Sequence, residues 1–322
     1  MRCGLDPLQK LLRFELHLGS HRCLPSGWRV HYSWMCGRFS QEAELSEIKL
    51  ELKVEQLELF REFRTAYNIA PSYGGGSEQA FVVRTREGKR ALRLGRWWMI
   101  PHFWSKPLKA LPAAFNARAE DLAKKPFWRD AFRQYRCLVP ATGWREFKPE
   151  GKHKQPYQFR LEHRLFAFAG LWSRWTSPDG ELVESFAVIT TAPNEQASAF
   201  HDRMPLVLPP ELYDGWLDPA ADAEPLLGDA QARSASLPLD IYPTNPLGNN
   251  VRFEGPEVVE RFDVAAARAA PAERAKAPVR ARGRKSLAVE SAAAGGKHGE
   301  PVQQDLFGGS TQQSVTSRRT GR

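Results

Sequence analysis

A methionine stands directly before a cysteine at Met35-Cys36, followed by Gly37-Arg38-Phe39. Methionine before a small residue is the pattern of an initiator methionine that is removed. Its removal would leave Cys36 with a free α-amine beside its thiol. Such a 1,2-aminothiol traps an aldehyde as a five-membered thiazolidine, and both groups have a reactive fraction near neutral pH. An internal Met-Cys pair without a role is the alternative, and the pair alone does not decide. Three further segments carry groups capable of chemistry. Phe115–Glu120 sets the amide of Asn116 and the guanidinium of Arg118 on a predicted loop. Thr142–Phe147 puts Glu146 in an aromatic strand, where partial burial raises a carboxyl toward acid–base duty. His201–Pro205 holds the only histidine of residues 165–263, next to Arg203 and a proline-stiffened turn. Each segment taken singly reads as easily as structural.

The elements that must position these groups are mostly strands. Residues 40–63 have a helical pattern, with Ser40 as a cap, Glu42 and Glu44 in the first turns, and Leu45, Ile48 and Leu52 on one face. Tyr67–Tyr73 reads as an extended connection and Gly74–Gly76 as a turn. Ala80–Thr85 and Ala91–Trp97 flank the turn-like Glu87-Gly88 and predict a hairpin. Further β-rich runs are 135–140, 144–148, 157–161, 165–171 and 186–191, with a short helix predicted within 119–133. The expected fold is therefore α+β: one domain with a largely antiparallel, barrel-like β core and a few flanking helices. Residues 1–34 form an extension, 35–262 the domain, and 263–322 a basic tail. The tail, rich in Ala, Arg, Lys, Gly, Ser and Gln, is too poor in apolar surface to order and is expected to be disordered.

The net charge of +9 is unevenly spread. Residues 264–322 carry +7 and residues 1–34 carry +3; within the body, residues 84–164 sum to +13 and residues 165–263 to −11. Either the basic segment lines a groove for a polyanion or sheet pairing mixes it with the acidic one. Cys3, Cys23, Cys36 and Cys137 show no zinc-ligand spacing, so neither metal nor cofactor is expected. So few scattered thiols fit a reducing, cytoplasmic setting. No apolar run is long enough for a membrane span, and ten tryptophans exceed what a core usually needs.

Taken together and in order, the segments MCGRFS (35–40), YNIAPS (67–72), FNARAE (115–120), CLVPATGWREFK (137–148), FAGLW (168–172), FAVITTAPN (186–194) and HDRMPLVLP (201–209) resemble the SOS-response-associated peptidase family of abasic-site-processing proteins. The resemblance covers roughly residues 35–262. It implies Cys36 as the N-terminal nucleophile, with Asn116, Glu146 and His201 as the other catalytic residues. It implies Arg38, Arg118 and Arg203 as DNA contacts. Trp104, in the tryptophan-rich stretch 97–104, joins them on the DNA side, although Trp98 stands where the family has glycine and no single wedge residue is assigned. The implied activity is capture of abasic sites in single-stranded DNA as a thiazolidine crosslink, in a cytoplasmic, nucleoid-associated protein. A cysteine peptidase, general or limited to self-processing, and a non-covalent single-strand binder are the alternatives.

One departure is chemical. Ring formation needs the Cys36 amine, yet 34 residues precede Met35. Three explanations are open: a true start at Met35, a leader that is cut away, or a protein inactive in ring formation, and the first is the expectation. In the tail, Gln303, Leu306 and Phe307 form a Gln-x-x-Leu-Phe segment that resembles the peptides with which replication and repair proteins dock on the sliding clamp. A clamp is thus a second expected partner.

Overall fold

The computed structural model describes residues 36–58, 63–71, 79–151 and 153–269. The N-terminal extension, the Gly74–Gly76 turn and the Gln303, Leu306 and Phe307 segment lie outside the described residues.

The first strands are β1 (Phe39–Gln41), β2 (Gln56–Glu58), β3 (Ala66–Ile69), β4 (Gln79–Arg86), β5 (Lys89–Trp97), β6 (Asn116–Arg118) and β7 (Arg136–Ala141). They are followed by β8 (Gly143–Glu150), β9 (His153–Arg160), β10 (Phe166–Thr176), β11 (Leu182–Thr191), β12 (Met204–Pro205), β13 (Val207–Leu208) and β14 (Asp240–Pro243). The helices are α1 (Leu45–Glu51), α2 (Pro126–Gln134), α3 (Glu195–Ser198), α4 (Tyr213–Leu217), α5 (Ala223–Ser234) and α6 (Val264–Ala269).

The predicted hairpin is present: Glu87 and Gly88 both take positive φ, 52° and 75°, the turn geometry that follows strand twist. From this hairpin a barrel closes. β4 pairs with β5 and β7, β7 with β10, β10 with β11, and β11 returns to β5 in a parallel pairing through Ser185↔Arg96 and Phe186↔Trp97. A second, antiparallel sheet runs β14-β9-β8-β1-β3. The α+β, largely antiparallel barrel architecture is the one read from the sequence.

The barrel interior can be traced from Gly95, where a Cβ would meet Phe186 Cδ1 at 3.1 Å and Val82 Cγ2 at 3.7 Å. Side chains two residues apart share a face. Arg84, Arg93 and Glu184 therefore point inward at one mouth, together with Trp172, the cross-strand partner of Phe186. At the other mouth Phe39 of β1 packs edge-on against Trp97 (4.8 Å) and Phe168 (6.0 Å). One end is closed by ions and the other by aromatic rings.

The helix expected over residues 40–63 is shorter. Ser40 does not cap it: it lies in β1, opposite Gly143, with its hydroxyl 3.1 Å from that of Thr142. Helix α1 starts after Glu44 and ends where Lys53 turns into positive φ, and β2 follows. Ile48 and Leu52 are buried and Leu45 packs beside them, so the apolar face is the one predicted. Helix α6 lies within the stretch expected to be disordered and occupies Val264–Ala269. Asp263 accepts the Ala266 N–H, and an alanine run has the highest helix propensity. The charge sorting resolves toward mixing: Arg84 and Arg93 pair with Glu184, and Arg90 pairs with Asp214. Among the described residues no helix is long and apolar enough to cross a membrane, and no acidic, histidine or cysteine group has a metal-binding arrangement.

Gly143 tests the join between the strands that carry the site. A Cβ there would lie 2.1 Å from Gln158 Nε2 and 2.8 Å from the Phe159 carbonyl oxygen, which is backbone and cannot swing away. Gly143→Ala is expected to destabilise the fold by roughly 1–3 kcal/mol, read as a lower urea midpoint with an unchanged slope.

Candidate functional site

Strand alternation aims the chemical groups. In β8, Trp144 stacks on Phe159 (5.2 Å) and meets Phe166 and Phe168. Glu146, two residues on, shares that inward face and is buried, while Arg145 points the opposite way. Cys36 stands three residues before Phe39 of β1, whose ring is anchored in the barrel mouth by Trp97 and Phe168. In β6, Asn116 pairs in parallel with Val188 of β11, and its side-chain amide donates to the Cys36 carbonyl at 3.3 Å. The Cys36 thiol donates to the Arg203 carbonyl at 3.4 Å and also hydrogen-bonds with the Glu146 carboxyl. Cys36, Asn116 and Glu146 thus converge, although 110 residues separate the first from the last. His201 sits on the loop that supplies the Arg203 carbonyl. Its Nδ1 accepts the Arg203 backbone N–H at 3.0 Å, which leaves Nε2 as the ring's donor. Asp202 Oδ1 is 2.9 Å from the same Nδ1, a contact that becomes attractive when the ring is protonated.

Burial dominates the electrostatics. It raises the Glu146 carboxyl to about 8; the Cys36 hydrogen bond opposes the shift and Asp202 adds to it. Burial likewise pushes the Cys36 thiol well above its ordinary range, with the Glu146 charge adding to the rise and Arg203 opposing it. Glu146 Oε1 has no hydrogen-bond partner among the described residues. Near neutral pH the site therefore holds a protonated carboxyl against a protonated thiol. That is a proton donor whose conjugate base would face a nucleophile.

The arginines divide. Arg203 makes a bidentate pair with Glu120 (2.8 and 2.9 Å) and donates to the Thr190 carbonyl at 2.6 Å. Burial raises the Glu120 carboxyl, but the hydrogen bond and charge of Arg203 together with a backbone hydrogen bond outweigh it, and the net shift is downward. Arg38 donates to Asn68 Oδ1 at 2.7 Å and to the Gly248 carbonyl at 2.9 Å. Arg118 is exposed, and no hydrogen bond or ion pair engages its guanidinium among the described residues. Trp104 is half-buried; its carbonyl accepts the Trp175 indole N–H at 2.7 Å and its ring packs on Phe127 at 6.4 Å. No hydrogen bond or ring contact joins Trp104 to the cysteine cluster among the described residues. The exposed aromatic of that stretch is its neighbour Phe103, which the sequence reading passed over.

Asn68 was also missed, although it lies in the YNIAPS segment. Its Oδ1 accepts from both Arg38 and Arg145, each at 2.7 Å, and its Nδ2 donates to the carbonyls of Asn250 (3.0 Å) and Phe253 (2.8 Å). This one buried amide ties the residues after Cys36 to the strand of Glu146. Asn68→Ala removes the shared acceptor of two guanidinium groups and should cost roughly 3 kcal/mol or more, measured by urea denaturation.

Residues 35–251 match the SOS response associated peptidase (SRAP) family. The chain is 35% identical over 231 residues to the abasic site processing protein YoqW of Bacillus subtilis, covering 70% of this chain and 99% of that protein. It is 27% identical over 234 residues to the abasic site processing protein YedK of Escherichia coli, again with 70% and 99% covered. A crystal structure of a protein from Bacteroides thetaiotaomicron superposes with a TM-score of 0.56 at 23% identity, covering 70% of this chain and all of that one. That likeness concerns the fold alone. The matched segment contains the cluster and the strands that build it, and the chain belongs to the SRAP family.

Proposed function

We propose that this protein captures abasic sites in single-stranded DNA, forming a covalent thiazolidine at Cys36 once the Met35–Cys36 bond has been cut. The relatives are named for abasic-site processing, and the observation that carries the chemistry is the buried contact of Cys36 with Glu146. An abasic deoxyribose reacts through its open aldehyde. The protonated Glu146 carboxyl donates to the ring oxygen as the sugar opens, and His201 is a second proton carrier. The Cys36 amine adds to C1′ to give a carbinolamine, whose hydroxyl leaves as water with a donated proton. The thiol then adds to the C=N carbon and gives up its proton to the Glu146 carboxylate. The sum is amine, thiol and aldehyde giving thiazolidine and one water, with no oxidant or reductant. Asn116, by holding the Cys36 carbonyl, fixes the direction of the amine.

Arg118 supplies a free cation for a flanking phosphate, a contact that positions the strand without reading its sequence. Binding should therefore weaken with salt, and Arg118→Ala should reduce the slope of log affinity against log salt by about 0.7 on single-stranded DNA. A thiol peptidase is less well supported, because such enzymes need a thiolate held by an imidazolium. Here the thiol faces a carbonyl and a carboxyl, and both oppose its ionisation.

The test compares protein beginning at Cys36 with the full 322-residue chain on an oligonucleotide bearing one abasic site. A denaturing gel should show a shifted band with the former and none with a full chain whose intact mass includes Met35. Equal crosslinking by both would overturn the reading.

A further inference from the structure

The ion-closed mouth of the barrel holds more cation than the protein itself neutralises. Four guanidinium groups there share two carboxylates. Glu58 meets Arg84 (2.9 Å), Arg86 (2.5 Å) and Arg93 (3.3 Å). Glu184 meets Arg84 (3.5 Å), Arg174 (2.9 Å) and Arg93. Glu87 touches only the outer edge of Arg86, at 3.3 Å and in solvent. Arg84 is 4% exposed, and its Nε has no hydrogen-bond partner among the described residues.

A cavity of about 430 Å³ opens on this excess charge. Its walls include Arg84, Arg86, Arg174, His102, Tyr135 and Trp172, and no carboxylate lines it. The aromatic wall is ordered: the Arg84 guanidinium lies 4.5 Å over the Trp172 ring, and Tyr135 meets that ring edge-on at 5.3 Å. Tyr135 itself is one of the few large hydrophobic side chains left exposed among the described residues. Arginines suited to bidentate phosphate contacts, beside a ring on which a base can stack, are what a nucleotide needs. The volume falls in the range of small-ligand pockets. Glu184 lies six residues along β11 from Thr190, whose carbonyl binds Arg203, so roughly 20 Å of strand separates this pocket from the Cys36 cluster.

We propose that this barrel mouth is a second binding site, for one nucleotide, with the base against Tyr135 and the phosphate on Arg86 and Arg174. The nucleotide is either a free nucleoside monophosphate or one unit of a DNA strand, and the site operates independently of capture at Cys36.

The test uses the full chain carrying Cys36→Ala, so that capture plays no part. Thymidine 5′-monophosphate and an oligothymidylate without abasic sites are titrated by equilibrium dialysis. Sub-millimolar binding of the mononucleotide is expected, weakened about tenfold by Arg174→Gln and by Tyr135→Leu. Tighter binding of the oligonucleotide, with the same dependence on both residues, assigns the site to a strand; equal affinity assigns it to the free nucleotide. Absence of saturable binding by either probe, or binding indifferent to both substitutions, overturns the proposal. As a check that needs no pocket variant, 5-bromodeoxyuridine monophosphate is photo-crosslinked to the same chain. Adducts on peptides containing Tyr135 or Trp172 support the site, and adducts found only elsewhere reject it.

Discussion

Replacing Cys36 with alanine in protein that begins at that residue removes the gel-stable adduct with abasic DNA, down to the level seen without protein. Non-covalent binding to single strands persists. The alanine keeps the α-amine, so it can still form an imine, but no thiol remains to close the ring. Cys36→Ser should behave the same way on a gel, since a hydroxyl is a far weaker nucleophile than a thiol. In both variants borohydride should trap a reduced amine that is absent without it. An adduct from Cys36→Ala as abundant and as stable as that of the unsubstituted protein would assign the nucleophile elsewhere. The contact of Asn116 with the Cys36 carbonyl does not depend on the side chain, so the variants should hold the same backbone position.

The second large effect belongs to Glu146, and it runs in opposite directions for rate and for stability. Loss of a placed general acid typically costs 10²–10⁴ in rate, so Glu146→Gln should slow adduct formation by on the order of a hundredfold or more. Stability should rise. The carboxyl titrates at about 8 in the folded protein against an ordinary 4.5. Between those values the unfolded chain has lost the proton that the folded protein retains, so stability falls as pH climbs from about 4.5 toward about 8. Glutamine removes that loss. The variant should match the parent near pH 4.5 and exceed it by roughly 3 kcal/mol near neutrality, the gain flattening above about 8. Urea denaturation at several pH values measures this. A stability difference that does not change with pH would mean that Glu146 is not held protonated. The rate of the parent should decline as pH rises through about 8, and that decline should be missing in Glu146→Gln.

Local pattern carried much of this architecture. The Glu87-Gly88 hairpin was legible because a two-residue turn needs positive φ, and the strands that carry Glu146 and Thr190 were legible from β-branched and aromatic runs; Asn116, expected on a loop, lies instead in the short strand β6, which only its pairing with β11 defines. Closure of the barrel was not. The parallel return of β11 to β5 joins residues about 90 apart, and nothing within either strand names its partner. Residues 40–63 misled for a related reason. The apolar spacing of Leu45, Ile48 and Leu52 is truly helical, but Ser40 is claimed by pairing with Gly143, a partner a hundred residues away.

The residue types of the cysteine cluster were readable as candidates from their chemistry, whereas the fate of each charge was not. Arg203, expected on a phosphate, spends its guanidinium on Glu120 and the Thr190 carbonyl, and Arg38 spends much of its own on Asn68 and Gly248. A sequence shows that an arginine is present, not which oxygen it meets. Asn68 was overlooked because a neutral amide carries no signal until its four neighbours are folded around it. The overcrowded arginines at the ion-closed mouth come from β4, β5 and β10, and only the closed barrel brings them together.

The intact mass of the adduct tests the central claim most directly. Protein beginning at Cys36 is incubated with a single-stranded oligonucleotide carrying one abasic site, and the product is weighed before and after borohydride. The predicted mass is that of protein plus oligonucleotide less one water, unchanged by the reductant, because a thiazolidine has no C=N bond left to reduce. A gain of two hydrogens would show an imine rather than a ring, and the absence of any adduct would contradict covalent capture altogether.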